Sequence, residues 1–415
     1  MAKGVQITKT NQELYPYLEY LEPTKVYIPL IAHGDENITI LVAKGDQVNA
    51  GDMIAKSKGV FRTPIHASIG GTIIDITEKY YLNGKKIKCI EIENDFVETI
   101  NLEENDLASF SKENIINLMK ENGIIGLSGS GFPAYEKYEN ELKTLIVNAI
   151  ESDPFTTCDF RLMEKKCEEI LEITDFLVDA FGMNEGLIAV KKNDDQLKKI
   201  VKNYIGTFVK LKLVELPDYY TSGWERELIR RVKKINYKNY PTEKGIVVNG
   251  VGTMYAIYEA LKYNKPLMER VVSFGGEKLK KRGNVLVKIG TPITEVIDFL
   301  GGVEEGEKML ITNGPLMGQS IASEDLVVSG DLTAVSLIKA IDEVTSKTCI
   351  RCGECIAVCP VKLSPVLINE ALEEVKHFRP QRCISCGLCS YVCPSHINLR
   401  TVVQKAKEDV HAAKN

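Results

Sequence analysis

The chain has 415 residues, too many for one hydrophobic core, and its 44% hydrophobic and 26% charged composition excludes disorder over most of its length. Its 52 basic and 57 acidic residues give a net charge of −5, which argues against a general nucleic-acid binder. No stretch reaches the ~18 apolar residues of a membrane helix, and the first ten residues lack the apolar segment of a secretion signal. We therefore expect no transmembrane segment, and a protein that is cytoplasmic or docked on the cytoplasmic face of a membrane.

The first quarter of the chain has the pattern of an all-β unit. Short apolar runs alternate with Gly and Asp turns, as in small antiparallel sheets. We predict a β domain over residues 1–104, of which the first 25 residues form an extended arm. The apolar runs that we predict as strands are 26–31, 38–42, 71–76 and 87–92.

Part of this unit, residues 44–55 and 64–73, resembles the barrel-sandwich fold of lipoyl and biotinyl carriers. A carrier would need a modified lysine at the hairpin between these segments. Lys56 and Lys58 lie there, but without the flanking residues of a carrier motif. We therefore favour a purely structural β unit and retain the carrier arm as an alternative.

Residues 105–262 alternate helical and strand patterns, which predicts an α/β domain with mostly parallel strands. Ser111 can cap a helix whose apolar face carries Ile115, Leu118 and Met119. The buried strands that we predict are 145–150, 187–190 and 245–248.

A glycine-rich loop at residues 126–133 is the first candidate for ligand binding in this domain. Gly126, Gly129 and Gly131 leave its backbone N–H groups free to approach a phosphate. A flexible surface turn would have the same composition, so the loop alone does not decide the matter.

The strand at 145–150 ends in polar residues, Asn148, Glu151 and Asp153, at the edge where open α/β sheets bind ligands. Carboxylates would repel a bare phosphate, but they accept hydrogen bonds from the hydroxyls and ring N–H of a flavin. Two later segments complete the candidate cofactor site with Glu225 and Thr253.

Residues 263–335 have the mixed pattern of a small ββαβ module. A strand is predicted at 285–289, a helix at 293–300 and a further strand at 308–311. A helix predicted at 332–344 would then lead into the C-terminal part of the chain.

The C-terminal part contains eight of the eleven cysteines, arranged in two runs with the spacing C-x2-C-x2-C-x3-C-P. This spacing is that of bacterial ferredoxins with two [4Fe–4S] clusters. Structural zinc, the alternative, needs only four ligands per site and usually has paired C-x2-C knuckles. The predicted cluster ligands are Cys349, Cys352, Cys355 and Cys359, and Cys383, Cys386, Cys389 and Cys393.

The fourth cysteine of each run is predicted to bind the cluster of the other run. The x3 spacing begins a helix that turns the fourth sulfur away from the first three. Cys393 therefore joins the first set and Cys359 the second, so the two clusters must lie close together. His396 follows the second run, but eight cysteines already complete both clusters.

Together these patterns resemble the RnfC-like electron-transfer proteins over nearly the whole chain. That family includes the RnfC component of the Rnf complex and the proline reductase-associated protein PrdC, and its flavin and cluster parts are similar to the flavin subunit of respiratory complex I. The resemblance lies in residues 126–133, 148–163, 253–260, 265–272, 290–292 and 314–318 and in both cysteine runs.

The resemblance implies a multidomain α/β and α+β fold and an electron relay. A two-electron donor such as NADH would reduce FMN, and two [4Fe–4S] clusters would pass electrons to a redox partner, either proline reductase or a membrane Rnf-type complex. The implied domains are a barrel-sandwich domain (1–104), an FMN-binding domain (105–262), an SLBB β-grasp-like module (263–335) and a dicluster ferredoxin domain (336–415).

Four positions depart from the family pattern. Ser128 and Ser130 stand in the glycine loop, Asp153 replaces a longer Glu, and Gly250 stands where the family often has Asn. These changes keep a second hypothesis open, in which the flavin site is degenerate and the protein is an iron–sulfur adaptor between partners.

Overall fold

The computed structural model describes residues 4–7, 15–20, 22–97, 100, 102, 104–341, 345–370 and 375–412. Within these ranges the strands form four sheets. Two belong to an N-terminal β unit, one to an α/β unit and one, of mixed direction, to the segment that follows.

The N-terminal unit is all-β, as predicted. Its two antiparallel sheets, in the orders β2-β8-β7-β4 and β3-β5-β6, enclose a core that includes Val26, Ile54 and Ile90. The strands are β1 (Tyr17–Glu19), β2 (Lys25–Pro29), β3 (Ile38–Ile40), β4 (Gln47–Val48), β5 (Met53–Ser57), β6 (Pro64–His66), β7 (Gly71–Tyr80) and β8 (Lys86–Asn94).

Two expectations for this unit are refined by the structure. Part of the predicted extended arm is strand β1, which joins the mixed sheet at its edge; residues 1–3, 8–14 and 21 lie outside the described residues. Lys56 lies within β5, while Lys58 lies in the turn after it.

The second unit is a parallel sheet in the order β11-β10-β9-β12 with helices packed on it. Ser111 caps α1 and accepts a hydrogen bond from Asn114 N, and Ile115 and Met119 are fully buried, as predicted. The elements are α1 (Lys112–Glu121), β9 (Thr144–Asn148), α2 (Cys158–Lys165), α3 (Cys167–Ala180), β10 (Glu185–Lys191), α4 (Asp195–Ile205), β11 (Leu211–Leu216), α5 (Glu225–Lys233), β12 (Ile246–Gly250) and α6 (Val251–Tyr263).

The mixed sheet follows, in the order β1-β14-β13-β17-β15-β16, and contains the predicted ββαβ succession. The sheet extends beyond residues 263–335, because β1 pairs with β14 and β17 pairs with both β13 and β15. Its elements are β13 (Glu269–Gly275), β14 (Gly283–Lys288), α7 (Ile293–Phe299), β15 (Lys308–Thr312), β16 (Gln319–Ile321) and β17 (Ala334–Lys339).

The helix predicted at 332–344 is wrong. The structure has strand β17 there, between β13 and β15, and residues 342–344 lie outside the described residues. A central strand is buried on both faces, so its apolar run has no alternation and is equally typical of a buried helix.

The C-terminal unit consists of short helices around the two cysteine runs. Gly353 and Gly387 precede the first helix of each run in the left-handed conformation, with φ of 78° and 77°. The helices are α8 (Glu354–Ala357), α9 (Pro365–Glu370), α10 (Leu388–Tyr391) and α11 (Leu399–Ala412).

Candidate functional site

A cavity of about 620 Å³ lies at the carboxyl ends of β9 and β12, where the α/β unit meets the mixed sheet. The β7–β8 turn and the loops after β15 and before β17 complete its wall. Gly131, one of the eight predicted cofactor residues, lies outside this lining and faces Asp331. The other seven line the cavity: Gly126, Gly129, Asn148, Glu151, Asp153, Glu225 and Thr253.

The glycine loop is held in place by α6. Leu127 N donates to Thr253 Oγ1 at 2.9 Å, and the buried Thr253 lies in the first turn of that helix. Gly129 has a φ of 88°, which few residues other than glycine adopt. Thr253 therefore fixes the loop while Gly129 turns it along the cavity wall.

Asn148 ties the end of β9 to the segment before α5. Its Nδ2 donates to Gly223 O at 2.8 Å, and its backbone pairs with Gly250 at the end of β12. A Cβ on Gly223 would lie 2.5 Å from Ile150 O, so only glycine permits this approach. The contact places Trp224 and Glu225 on the cavity wall.

Two carboxylates at the cavity each occupy the N-terminus of a helix. Glu151 accepts from Asp159 N at 3.0 Å and Phe160 N at 2.9 Å in the first turn of α2. Asp159 Oδ1 accepts from Gly252 N at 3.1 Å in the first turn of α6. Burial raises the pKa of Asp159 to about 7, and the neighbouring Glu151 carboxylate adds to the rise.

Lys137 supplies a buried positive charge to the same cavity. Its Nζ donates to Val248 O at 2.8 Å and to Asn249 Oδ1 at 3.1 Å, and it forms no salt bridge in the part of the chain that the structure describes. Burial lowers the pKa of Lys137, and the field of Glu225 opposes this effect. A lysine that has only neutral partners attracts an anionic ligand.

The residues present fit FMN. Among the described residues, Ser152 Oγ and Tyr220 Oη are buried at the cavity without a hydrogen-bond partner. Unpaired buried hydroxyls are costly, and a ligand rich in oxygen and nitrogen would satisfy them. With the glycine loop, the carboxylates and Lys137, the cavity offers donors, acceptors and a cation to a flavin mononucleotide.

Two smaller cavities are lined by the cysteines, grouped as the spacing predicts. Backbone amides approach some of these sulfurs: Leu363 N lies 3.2 Å from Cys359 Sγ and Ser385 N lies 3.3 Å from Cys383 Sγ. Such contacts stabilise sulfur that carries negative charge. One cavity is lined by Cys349, Cys352, Cys355 and Cys393, the other by Cys359, Cys383, Cys386 and Cys389. We refer to them as the first and second cluster pockets.

The thiols surround these pockets rather than converging on one point. In the described ranges no three His, Cys, Asp or Glu side chains are arranged to hold a single ion. His396 is exposed and does not line the first pocket. Four thiols around a pocket are the arrangement that the corners of a cubane require.

The two cysteine runs have the same spacing but different surroundings. Cys386 is buried and packs with Tyr220 and Leu316, whereas Cys352 at the matching position of the first run is exposed. A Cβ on Gly387 would lie 2.4 Å from Leu316 O, while one on Gly353 would meet nothing within 4 Å. The second cluster pocket thus faces the large cavity and the first faces outwards.

Several cavity residues were not found from the sequence. Lys137 follows the glycine loop closely, and a lone lysine beside aromatic residues was a usable signal. Tyr81, Tyr220 and Asn313 come from three distant segments and carry no local pattern. In the described ranges no helix is long and apolar enough to span a membrane.

Three family models match the chain. They are the RnfC barrel sandwich hybrid domain over residues 2–97, the Nuo51 FMN-binding domain over residues 119–259, and a 4Fe-4S dicluster domain over residues 348–397. These matches confirm the predicted fold class, and they confirm FMN and the iron–sulfur clusters as cofactors. The boundaries predicted for the four domains and the individual ligand residues remain predictions.

Similar proteins cover most of the chain. The RnfC-type component of the proton-translocating ferredoxin:NAD(+) oxidoreductase complex of Clostridium ljungdahlii is 30% identical over 360 residues, 84% of this chain and 78% of that protein. The corresponding component of the Na(+)-translocating complex of Acetobacterium woodii is 30% identical over 366 residues, 84% of this chain and 81% of that protein.

Among solved structures, the NAD+-reducing [NiFe]-hydrogenase in the H2-reduced state has a similar fold, with a TM-score of 0.51 and 16% identity. The match covers 74% of this chain and 62% of the hydrogenase chain. At this identity the likeness concerns the fold alone.

Proposed function

The chain belongs to the RnfC family of ion-translocating oxidoreductase components, and on that basis we propose that it is the FMN- and iron–sulfur-carrying relay of a ferredoxin:NAD+ oxidoreductase complex. Bound FMN would exchange electron pairs with a nicotinamide and single electrons with the clusters. The observation that carries this proposal is the single layer of side chains between the large cavity and the second cluster pocket.

Tyr220 belongs to that layer. It lines the large cavity and packs in one hydrophobic cluster with Cys386 and Leu388 of the second cysteine run. Trp224, also on the cavity wall, lies beside it with ring centroids 6.2 Å apart. A short contact of this kind suits electron transfer between cofactors on either side.

Arg400 fastens the two sides together. Its guanidinium on α11 donates to Leu316 O at 3.1 Å, to Gly318 O at 3.0 Å and to Met317 O. Met317 and Gly318 also line the large cavity. Charged hydrogen bonds to three successive carbonyls hold the cluster unit at a fixed distance from the flavin site.

The difference between the cysteine runs gives the relay an order. The second cluster, bound by the buried pocket beside Tyr220, exchanges electrons with FMN. The first cluster, at the exposed pocket with Cys352, exchanges electrons with the partner protein. We propose NADH as the two-electron donor or product, and a ferredoxin-type protein of the complex as the partner.

A second candidate keeps the relay but changes the partner or the flavin. The departures at Ser128, Asp153 and Gly250 favour a paralogue outside the membrane complex, delivering electrons to a reductase such as proline reductase, or an adaptor without FMN. Flavin content separates the adaptor from the relay, and the acceptor that is reduced separates the two partners.

Anaerobic purification with flavin and iron analysis tests the proposal. We expect bound FMN, iron and sulfide for two cubanes, and reduction of a viologen dye by NADH. Normal FMN and iron without any NADH oxidation would contradict the nicotinamide half and leave the relay. Iron–sulfur clusters without FMN would instead support the adaptor.

Lys137 provides a test of the cavity that does not need turnover. Lys137→Met is expected to weaken FMN binding about 10- to 100-fold, because a charged hydrogen-bond donor is lost from a buried site. Fluorescence titration of the flavin-free protein measures the affinity. Lys165→Met, which removes an exposed lysine of α2 outside the cavity lining, is the matched control and should bind FMN normally.

A further inference from the structure

A second cavity of about 200 Å³ lies behind the wall of the flavin cavity, between α2, α6 and β13. The two cavities share three wall residues, Leu127, Cys158 and Asp159. Of these only Asp159 carries an oxygen that can bind and release a proton near neutral pH. Its position on both cavity linings makes it a group through which a proton can cross.

The electron relay requires such a crossing. Oxidation of a dihydronicotinamide to NAD+ yields two electrons and one proton. When the electrons leave singly through the clusters, the proton stays in the flavin cavity until it is released; the reverse reaction takes one proton up. Neither cluster carries a proton, so the protein must supply the route.

We propose that Asp159 is the proton-exchanging group of the flavin site and passes protons between the flavin cavity and the second cavity. This assignment rests on the proposed function. The two carboxylate oxygens of Asp159 have different neighbours. Oδ1 is held by Gly252 N, and Oδ2 faces Gly250, where a Cβ would lie only 3.4 Å away. Because residue 250 has no side chain, nothing from this position covers Oδ2.

The charges around Asp159 suit a group that titrates. Glu151 lies beside it and disfavours a second negative charge, while the buried Arg270 of β13 favours one. Cys158 precedes it on α2, and burial raises the pKa of that thiol, which keeps it neutral. Asp159, with a pKa of about 7, can therefore both accept and release a proton at neutral pH.

The second cavity continues the route towards charged groups. Glu259 and Glu269 line it, and Lys265 bridges them with distances of 2.6 and 2.5 Å from its Nζ to their carboxylates. Lys166 also lines this cavity. Such a polar pocket can hold ordered water between Asp159 and the exterior.

Infrared difference spectroscopy of the FMN- and cluster-loaded protein tests the assignment. On flavin reduction we expect the carbonyl stretch of a protonated carboxyl group to change in the wild type and to stay silent in Asp159→Asn. Asparagine keeps the acceptor for Gly252 N, so the helix cap survives. Proton uptake per electron pair, measured with an indicator dye, should fall by up to about one.

Two controls complete the experiment. Burial also raises the pKa of Asp175, which lines neither cavity, so Asp175→Asn should keep the carboxyl signal. Ala256→Leu fills the second cavity without removing a charge and should slow proton release while leaving the equilibrium signal unchanged. A wild-type spectrum from Asp159→Asn, or unchanged release in Ala256→Leu, overturns the route.

The outcome also separates the two proposals. A protein that binds no FMN, or whose FMN and clusters exchange no electrons, contradicts the proposed function. A protein with normal electron exchange but no carboxyl signal contradicts only the role of Asp159.

The pH dependence of stability gives an independent check on Asp159. Since its folded pKa lies above the ordinary value of 3.8, its contribution is fully present below that value and is lost as pH rises through about 7. Between about pH 5 and pH 8, the thermal midpoint of Asp159→Asn relative to the wild type should therefore rise. A constant difference across this range would show that Asp159 is ionised throughout.

Discussion

Gly387→Ala is expected to separate the cluster unit from the flavin unit, whereas Gly353→Ala should leave the two assembled. Both glycines have nearly the same positive φ, 77° and 78°, so alanine costs about 1–2 kcal/mol of backbone strain at either position. Only at Gly387 does the new Cβ meet a neighbour, because Leu316 O would lie 2.4 Å away. The difference between the variants thus reports the contact between the units.

Rapid-mixing kinetics on FMN-loaded protein measure this difference. Gly387→Ala should slow the reduction of the clusters by reduced flavin to a small fraction of the wild-type rate, with flavin affinity unchanged. Gly353→Ala should transfer electrons at the wild-type rate. Iron content controls for cluster loss, and equal rates in the two variants would show that Leu316 and Gly387 do not hold the interface.

The fold was largely predictable from local patterns. Parallel strands such as 145–150 are apolar throughout, and turns rich in Gly and Asp bound the N-terminal strands. The failure at 332–344 has a physical cause: β17 is a buried central strand, and its partners β13 and β15 are separated from it in sequence by other elements. Register between distant strands leaves no trace in a single segment.

The candidate site was predictable where one segment supplies several polar groups. Asn148, Glu151 and Asp153 follow one strand, so they were found together. The role of Glu151 at the N-terminus of α2 was not, because a carboxylate that binds a ligand and one that caps a helix have the same local sequence. Tyr220 entered the site only through its packing against the second cysteine run.

The two cysteine runs show most clearly what packing adds to sequence. Their spacing predicts two equivalent clusters and says nothing about which one lies near the flavin. The structure breaks the equivalence, because the second run packs on Leu316 and Tyr220 while the first remains exposed. The order of electron transfer is therefore a property of the interface rather than of the motif.

Removing one ligand from each run tests that order directly. Cys386→Ala is expected to eliminate the second cluster and reduce electron transfer from flavin to the remaining cluster to background. Cys352→Ala should eliminate the first cluster, leave flavin-to-cluster transfer intact, and abolish delivery to a ferredoxin acceptor. The reason is that each missing thiolate opens its own pocket, while the other pocket keeps its four ligands.

Electron paramagnetic resonance of the reduced variants identifies the surviving cluster, and flavin content shows that the remaining chain is folded. A protein acceptor is needed because a small dye can take electrons from the flavin itself. If Cys352→Ala blocked cluster reduction by flavin while Cys386→Ala permitted it, the order would be reversed. The buried layer at Tyr220 would then be a structural contact only, and the exposed pocket would be the one that communicates with the flavin.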